Sequence, residues 1–255
     1  MENRRAFIQK VAVATVAATL PVPAVFAAEQ EKRRIGKKIK LEKGYTILFQ
    51  GDSVTDCGRS RDADADLMSK IGPGYPRWVV TRLATEYPDY HFTFVNRGIS
   101  GNKVYQLQDR WKEDCLDIKP DVLSILIGVN DYWHTLSSGY KGTPETYETS
   151  YRELLTETKK RLPKVKLIIC EPFGLVGVGA VTEQWRTALP KYQAIAQKLA
   201  KEFGATFIPM QSIFNEAEKE GLKYGIPSNF WTDDGVHPSS AGHILMANAI
   251  LEVFK

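Results

Sequence analysis

Cysteine is scarce in this chain, which has three cysteines among its 255 residues. Cys57, Cys115 and Cys170 are too few and too scattered for a disulfide framework or a zinc site, and Cys170, inside an apolar run, is expected to be a buried hydrophobic residue. The sequence also lacks a second long apolar run, a glycine-rich phosphate loop and any Gly-x-Ser-x-Gly segment. These absences argue against a disulfide scaffold, a multispan membrane protein, a phosphate-loop protein and the usual α/β-hydrolase nucleophile elbow.

Neither sign of charge dominates, because 34 basic and 30 acidic residues give a formal net charge of +4. Without residues 1–27 the chain keeps 31 basic and 29 acidic residues, a charge of +2. This nearly neutral balance implies neither a nucleic-acid surface nor a polybasic membrane patch, and the basic residues at 32–38 are interpreted as a solvated leader. We therefore predict no nucleic-acid partner.

The N-terminus has the pattern of an export signal. Paired arginines, Arg4 and Arg5, precede an apolar run at 11–20, and small residues favour cleavage near Ala27. The arginine pair resembles a twin-arginine signal, which carries folded proteins, while an ordinary secretory signal and an uncleaved anchor are the alternatives. We predict an exported bacterial protein, periplasmic or secreted, without a membrane anchor after cleavage. The predicted divisions are an export signal at 1–27, a leader segment at 28–43 and a single domain at 44–255.

Apolar runs of strand length alternate with stretches of helical length through the rest of the chain. This alternation predicts an α/β fold in which a parallel sheet carries helices on both faces. Strands are expected at 46–49, 92–95, 122–127, 165–170 and 206–209, and helices at 75–86, 104–115, 144–162, 185–203 and 239–254. Ligands of such sheets bind at the carboxyl ends of the strands, so the polar residues that follow each strand are the candidates for function.

A serine follows the first of these strands directly, in Gly51-Asp52-Ser53. A serine hydroxyl is a weak nucleophile until a base removes its proton. Of the four histidines, His237 has Asp234 three residues before it, close enough for one tight loop to aim the carboxylate at a ring nitrogen. The alternative is a surface loop in which this Asp and His only cap a helix.

Donors for a developing oxyanion are present after the next two strands. Gly101 offers a backbone amide that no side chain shields, and Asn130 offers a side-chain amide. Together with the amide of Ser53 they would make three donors. Taken singly, each has a simpler reading as an ordinary glycine turn or an Asx turn.

Four segments together resemble the SGNH (GDSL) hydrolases. Gly51-Asp52-Ser53, the GISGN stretch with Gly101, Gly128-x-Asn130-Asp131 and Asp234-x-x-His237 stand in the order of that superfamily's four blocks. The resemblance implies a flavodoxin-like three-layer α/β/α sandwich with a five-stranded parallel sheet. It also implies a role for each block: Ser53 as nucleophile, Asp234 and His237 as the rest of a triad, and Ser53, Gly101 and Asn130 as the oxyanion hole.

A narrower resemblance points to substrate. GDSVTDCGR, NRGISGNKV, SILIGVNDYW and DGVHPSSAGH are similar to acetylxylan esterases of this superfamily, whereas residues 171–185 have no convincing match. The resemblance implies a serine esterase that removes acetyl groups from plant-type polysaccharides. The residues expected to contact substrate lie beside the four blocks: Asp52, Asn102, Asp131, Trp133 and Trp231.

Other functions stay open at this stage. A lipase or thioesterase of the same superfamily, a pectin-side acetylesterase and a non-catalytic glycan-binding module are the alternatives, although loops rich in Asp, Asn, Arg and Gly favour a carbohydrate over a lipid. We predict no metal and no cofactor, because Asp62, Asp64 and Asp66 lack the glycine and the later glutamate of a calcium loop. Cys57 has no neighbouring histidine in the sequence that would favour a thiolate. An oligomer is possible but is not predicted.

Overall fold

The structure is a computed structural model that describes residue 36 and residues 38–255. The predicted export signal at 1–27 and most of the predicted leader lie outside the described residues. Within them, none of the helices is long and apolar enough to cross a membrane.

Five parallel strands form one sheet in the order β2-β1-β3-β4-β5. The strands are β1 (Thr46–Gly51), β2 (Thr93–Asn96), β3 (Val122–Leu126), β4 (Lys166–Cys170) and β5 (Thr206–Ile208). In the central pair, Ile47 lies opposite Val122 and Gly51 lies opposite Leu126. The predicted α/β class and five-stranded parallel sheet are confirmed, and each strand begins within a residue of its predicted start.

Helices cover both faces of this sheet. The α-helices are α1 (Ser53–Asp56), α2 (Leu67–Ile71), α3 (Tyr75–Glu86), α4 (Val104–Asp109), α5 (Val129–Ser137), α6 (Pro144–Arg161), α7 (Trp185–Glu202), α8 (Met210–Lys223) and α9 (Ser240–Leu251). Leu48 belongs to the core formed with α4 to α7, and its neighbour Phe49 to the core formed with α3, α8 and α9. This alternation follows from the period of two along a strand, and it gives the three-layer sandwich.

Four α-helices escape the sequence prediction, the short helices α1 and α2 and the longer helices α5 and α8, and one predicted helix is much shorter than expected. Both α5 and α8 begin directly after a strand, and neither was predicted. The helix expected at 104–115 ends at Asp109, and a π-helical turn, Lys112–Leu116, follows it. Within this turn the Asp114 carbonyl accepts a hydrogen bond from the side-chain amide of Gln50 at 2.7 Å.

The strand order creates one crevice at the carboxyl end of the sheet. After β1 the chain crosses to β2 on one side, then passes back over β1 to β3 on the other. Ligands of doubly wound sheets bind where the order reverses in this way. Ser53 follows β1 and Asn130 follows β3, so both stand at that point.

The described end of the predicted leader packs on the domain. Ile39 forms a parallel bridge with Phe254, and its amide donates to the Val253 carbonyl at 2.8 Å. Leu41 is buried in the same core as Phe49. Residues 38–43 are thus part of the packed body, while the domain boundary at residue 44 stays a prediction.

Candidate active site

The turn after β1 presents Ser53. Gly51 ends the strand, and a Cβ there would lie 2.3 Å from the Leu126 carbonyl oxygen, so only glycine lets β1 and β3 approach here. Asp52 then caps α1 by accepting a hydrogen bond from the Val54 amide at 3.0 Å. The serine is therefore the first residue of a helix that begins abruptly at the edge of the sheet.

Ser53, His237 and Asp234 form a hydrogen-bonded chain. Ser53 Oγ lies 2.8 Å from His237 Nε2, and His237 Nδ1 lies 2.7 Å from Asp234 Oδ2. The other carboxylate oxygen, Oδ1, accepts from the amides of Val236 and His237 at 2.9 and 2.8 Å. Burial opposes ionisation, but these hydrogen bonds outweigh it and hold the pKa of Asp234 below its usual value. An ionised Asp234 fixes the proton on Nδ1 and leaves Nε2 as the acceptor that faces the serine.

The loop that carries Asp234 and His237 is held by residues 171–185, the segment whose sequence did not resemble the acetylxylan esterase pattern. Leu175 N donates to the Gly235 carbonyl at 2.8 Å, and Ala180 N donates to the Asp234 carbonyl at 2.9 Å. A Cβ on Gly179 would lie 2.5 Å from that same Asp234 oxygen. Residues 171–185 therefore support the loop that carries Asp234 and His237.

The two predicted oxyanion donors stand on neighbouring turns. Asn130, in the first turn of α5, is buried and donates from Nδ2 to the Asn102 carbonyl at 3.2 Å. The loop with Gly101 is tied to β1, since Ile99 N donates to the Gly51 carbonyl at 3.1 Å. Gly101 has φ +79° and, where a Cβ would sit, open space except for one histidine carbon at 3.8 Å. The contact between Asn130 and Asn102 thus joins the turn after β3 to the loop with Gly101, which is itself tied to the last residue of β1.

Asp52 and Asp131, predicted to contact substrate, are buried carboxylates that bind backbone amides. Both oxygens of Asp131 accept from Val104 N at 3.2 Å. Burial raises the pKa of Asp52 to about 7, against the pull of the Val54 amide. Burial likewise raises the pKa of Asp131 to about 7, and the charge of Asp52 adds to the rise. Their contacts shape the turns after β1 and β3.

The remaining predicted contacts divide into two groups. The Trp133 ring lies 5.9 Å from the His237 ring, beside the triad. Asn102 connects the site to Arg110, whose Nε donates to its side-chain oxygen at 3.0 Å. Trp231 instead packs on Phe230 at 5.1 Å, and its carbonyl accepts from Ser239 N at 3.1 Å, so these contacts anchor the loop before α9.

Cys57 has a histidine neighbour that the sequence did not reveal. Its Sγ lies 3.5 Å from His243 Nε2, while His243 Nδ1 accepts from the Tyr75 amide at 3.0 Å. A ring that accepts at Nδ1 carries its proton on Nε2, so it donates toward the sulfur. Burial lowers the pKa of His243 to about 4 and raises the pKa of the Cys57 thiol. This pair is not an activated thiolate.

A serine joined to an imidazole and a carboxylate at the switch point of a five-stranded parallel sheet defines a serine hydrolase. The chain belongs to the GDSL-like lipase/acylhydrolase family, whose model matches residues 49–245. It is a carboxylic ester hydrolase with the SGNH hydrolase fold, as the sequence resemblance implied.

Several relatives are similar over most of their length. An acetylxylan esterase from Geobacillus stearothermophilus is 37% identical over 219 residues, which cover 84% of this chain and 95% of that protein. A structure of an acetylxylan esterase from the same organism has a TM-score of 0.73 at 35% identity, covering 84% of this chain and 96% of its own. A structure from Parabacteroides merdae, described as a GDSL-like lipase, has a TM-score of 0.80 at 48% identity and covers 85% and 98%.

Structures of the Geobacillus esterase include three catalytic mutants. They replace a serine, an aspartate and a histidine, and the aspartate precedes the histidine by three positions, as Asp234 precedes His237 here.

Proposed function

We propose that this protein is a serine esterase that removes acetyl groups from plant-type polysaccharides or oligosaccharides. The observation that carries the proposal is the Ser53, His237 and Asp234 chain, with its 2.8 and 2.7 Å contacts, in a protein 37% identical to an acetylxylan esterase. Oxygen-rich loop residues border the crevice, which suits a sugar better than an acyl chain.

The first step transfers the acetyl group to the enzyme. His237 Nε2 takes the Ser53 proton while Oγ attacks the acetyl carbonyl carbon, and Asp234 stabilises the imidazolium. The carbonyl oxygen becomes an oxyanion and accepts hydrogen bonds from the amides of Ser53 and Gly101 and from Asn130 Nδ2. The sugar oxygen then leaves, takes the proton from His237 and departs as an alcohol, which leaves an acetylated Ser53.

The second step releases acetate. A water molecule gives a proton to His237 Nε2 and attacks the acetyl-serine carbonyl, and the same three donors receive the oxyanion. The Ser53 oxygen leaves and recovers its proton from His237. We assign positioning roles to Asp52 and Asp131, which hold the turns after β1 and β3, and a sugar-contacting role to Trp133.

Acetate release from oligomers of acetylated xylan, pectin and mannan tests the proposal, and the three rates show which polysaccharide is preferred. We expect release from xylan oligomers by the native protein and none by Ser53→Ala. Release from the pectin oligomers alone would favour the pectin-side acetylesterase. A protein that releases acetate from none of the three is not a polysaccharide acetylesterase.

A second candidate, a lipase with longer acyl substrates, is favoured by the 48% identical structure described as a GDSL-like lipase. Nitrophenyl acetate and nitrophenyl octanoate separate the two, because an acetyl esterase has no apolar groove for eight carbons. We expect the acetyl ester to be preferred; a preference for octanoate would favour the lipase. Labelling of Ser53 by a fluorophosphonate probe distinguishes either enzyme from a non-catalytic glycan-binding module.

We also propose that the protein is exported and cleaved near Ala27, since its first residues have the pattern of a twin-arginine signal. N-terminal sequencing of the mature protein should begin near Ala28. Arg4→Lys with Arg5→Lys should block export by the twin-arginine route, whereas an ordinary secretory signal would tolerate the change.

A further inference from the structure

His134 stands at the rim of the candidate active site and has no role in the steps above. It lies one turn after Asn130 on α5, so both side chains are on one side of that helix. Its ring carbon Cε1 is 3.8 Å from the place a Cβ on Gly101 would take, and no other heavy atom outside residues 100–102 lies within 4 Å of that place. The edge of the imidazole therefore faces the open crevice beside the oxyanion loop.

Lys103 fixes which nitrogen of this ring carries a proton. Its Nζ lies 3.1 Å from His134 Nδ1. An ammonium group can only donate, so Nδ1 must accept, and the neutral ring then carries its proton on Nε2. Burial lowers the pKa of His134, and the positive charge of Lys103 lowers it further, so the ring stays neutral.

The lysine is itself held in place, which makes the arrangement rigid. Lys103 is 8% exposed, and its Nζ lies 5.7 Å from the Tyr105 ring centre and 5.2 Å from that of Tyr140. These two rings stack on each other at 5.8 Å. Burial lowers the pKa of Lys103, and the charge of Asp131, where that carboxyl is ionised, opposes the shift. Aromatic faces and a nearby carboxylate are the partners that stabilise a buried ammonium.

The remaining nitrogen of His134, Nε2, is a donor with no recipient among residues 38–255. Nε2 has no hydrogen-bond partner in the described part of the chain, and it is not among the buried polar atoms that lack one, so it faces solvent. A tetrahedral oxyanion accepts about three hydrogen bonds, which Ser53, Gly101 and Asn130 already supply. The Nε2–H of His134 lies beyond Gly101, so it is placed to donate to an oxygen of the substrate other than the oxyanion.

We propose that His134 is a sugar-binding residue whose Nε2–H, oriented by Lys103, donates to an oxygen of the glycosyl unit that bears the acetyl group. The proposal rests on the proposed carbohydrate substrate. It assigns His134 to recognition of the sugar alone, not to the acyl transfer, and it makes Lys103 a positioning residue that acts through the imidazole.

Two substrates separate recognition of the sugar from the acyl transfer. His134→Phe keeps a flat ring but no donor, so we expect kcat/KM for an acetylated xylo-oligosaccharide to fall roughly tenfold, the effect of one lost hydrogen bond. With nitrophenyl acetate, which has no sugar, kcat/KM should stay within about twofold of the native value, because no step of the acyl transfer uses His134. The Lys103 ammonium loses its Nδ1 acceptor in this variant but keeps the faces of Tyr105 and Tyr140. His134→Gln keeps an amide donor and should recover most of the loss. His91→Asn removes an exposed histidine before β2, at the opposite end of the sheet, and is the matched control.

An equal loss on both substrates, or an unchanged rate on the oligosaccharide, would overturn the proposal. Native protein that cleaves nitrophenyl acetate but no acetylated oligosaccharide would instead refute the proposed substrate class. The tautomer is tested independently of activity: nitrogen NMR of the histidine rings should show His134 neutral with its proton on Nε2. In Lys103→Met the titration midpoint of His134 should rise, whereas a proton on Nδ1 in the native protein would contradict the inferred orientation.

Discussion

Asn130 combines a buried position with the role proposed for it at the reacting oxygen. Its side chain is 3% exposed, and its Nδ2 group already donates to the Asn102 carbonyl at 3.2 Å. An amide held in this way is oriented before substrate arrives, which is the condition under which one donor contributes strongly to acyl transfer.

Asn130→Ala should lower kcat by roughly 10² to 10³, the usual effect of removing one oxyanion donor. The fold should survive, since the alanine fits the same helical turn. Steady-state kinetics with nitrophenyl acetate and thermal unfolding measure the two effects. Asn215→Ala, at an exposed asparagine on α8, is the control and should leave both unchanged. Near-normal turnover of the Asn130 variant would remove this residue from the mechanism.

Asp52 should make stability depend on pH in the acidic to neutral range. Its folded pKa of about 7 lies above the unfolded value of about 3.9, so the folded state holds an extra proton between these pH values. The protonated Asp52 carboxyl therefore contributes fully to the free energy of unfolding below about pH 4, and this contribution is lost as pH rises through about 7. Asp52→Asn removes this dependence.

We therefore expect Asp52→Asn to gain stability relative to the native protein between pH 5 and pH 8, on the order of a few kcal/mol. Urea unfolding at the two pH values measures it. Asp62→Asn, at an exposed carboxylate, should follow the native protein. An Asp52 variant whose stability runs parallel to the native curve would mean that this carboxyl ionises normally.

The support of the acid and base loop by residues 171–185 can be tested at two glycines. Gly177 and Gly179 both have positive φ, +93° and +51°. An added Cβ on Gly179 would lie 2.5 Å from the Asp234 carbonyl oxygen, whereas one on Gly177 would have nothing within 4 Å. Both substitutions place an alanine at a positive φ, which costs about 1 kcal/mol of folding free energy. Only the alanine at position 179 also brings its Cβ into collision with Asp234.

Gly179→Ala should therefore displace Asp234 and lower kcat/KM by more than tenfold, because a shift of about 1 Å in a catalytic group costs up to about 10² in rate. Gly177→Ala should keep native kinetics with a slightly lower melting temperature. Kinetics with nitrophenyl acetate and thermal unfolding compare the two. Equal kinetics in both variants would mean that residues 171–185 do not position the loop.

The helices that sequence reasoning found and missed differ in how they begin. The predicted bounds of α3 match the structure because Gly74, Pro76 and the break at Tyr87-Pro88 mark both ends. In α5 the helix starts one residue after Gly128 with no such signal, and its polar residues suggested a loop. In α8 the signal was present, since its buried residues have helical spacing: Met210, Ile213, Phe214, Ala217 and Gly221.

The candidate site was predictable where its residues follow strands. Ser53, Gly101 and Asn130 stand after the first three strands, and a parallel sheet brings those ends together. Contacts between distant segments were not predictable: Lys103 and His134 are 31 residues apart, and Cys57 and His243 are 186 apart. The burial of Asp52 and Asp131 was not predictable either, because the sequence does not indicate whether an acidic side chain beside a catalytic block faces solvent or a backbone amide.

Residues 38–43, which belong to the predicted leader, pack on the domain that is predicted to begin at residue 44. Ile39 and Leu41 are 6% and 3% exposed, and Lys255 N donates to the Ile39 carbonyl at 3.1 Å. Burial of each side chain contributes about 2 kcal/mol. Residues 38–43 therefore hold the C-terminal residues of the chain through hydrogen bonds and apolar packing.

A protein that begins at residue 44 should melt roughly 10 °C below one that begins at residue 28, since about 2 to 4 °C is lost per kcal/mol in a domain of this size. Differential scanning calorimetry measures the difference. Ile39→Ala should reproduce part of the loss, and Lys40→Ala, whose side chain is exposed, should not. Equal melting temperatures for the two lengths would support a domain that starts at residue 44.

The contact between Ser53 and His237 joins positions 184 residues apart. At about 5 to 20 residues per second, a ribosome needs roughly 10 to 40 s to add the base after it has added the nucleophile. Throughout that interval the nascent chain holds a serine without a proton acceptor. The protein thus lacks its proposed base during most of its own translation. We expect hydrolysis to begin only once α9 has packed behind the loop that carries His237.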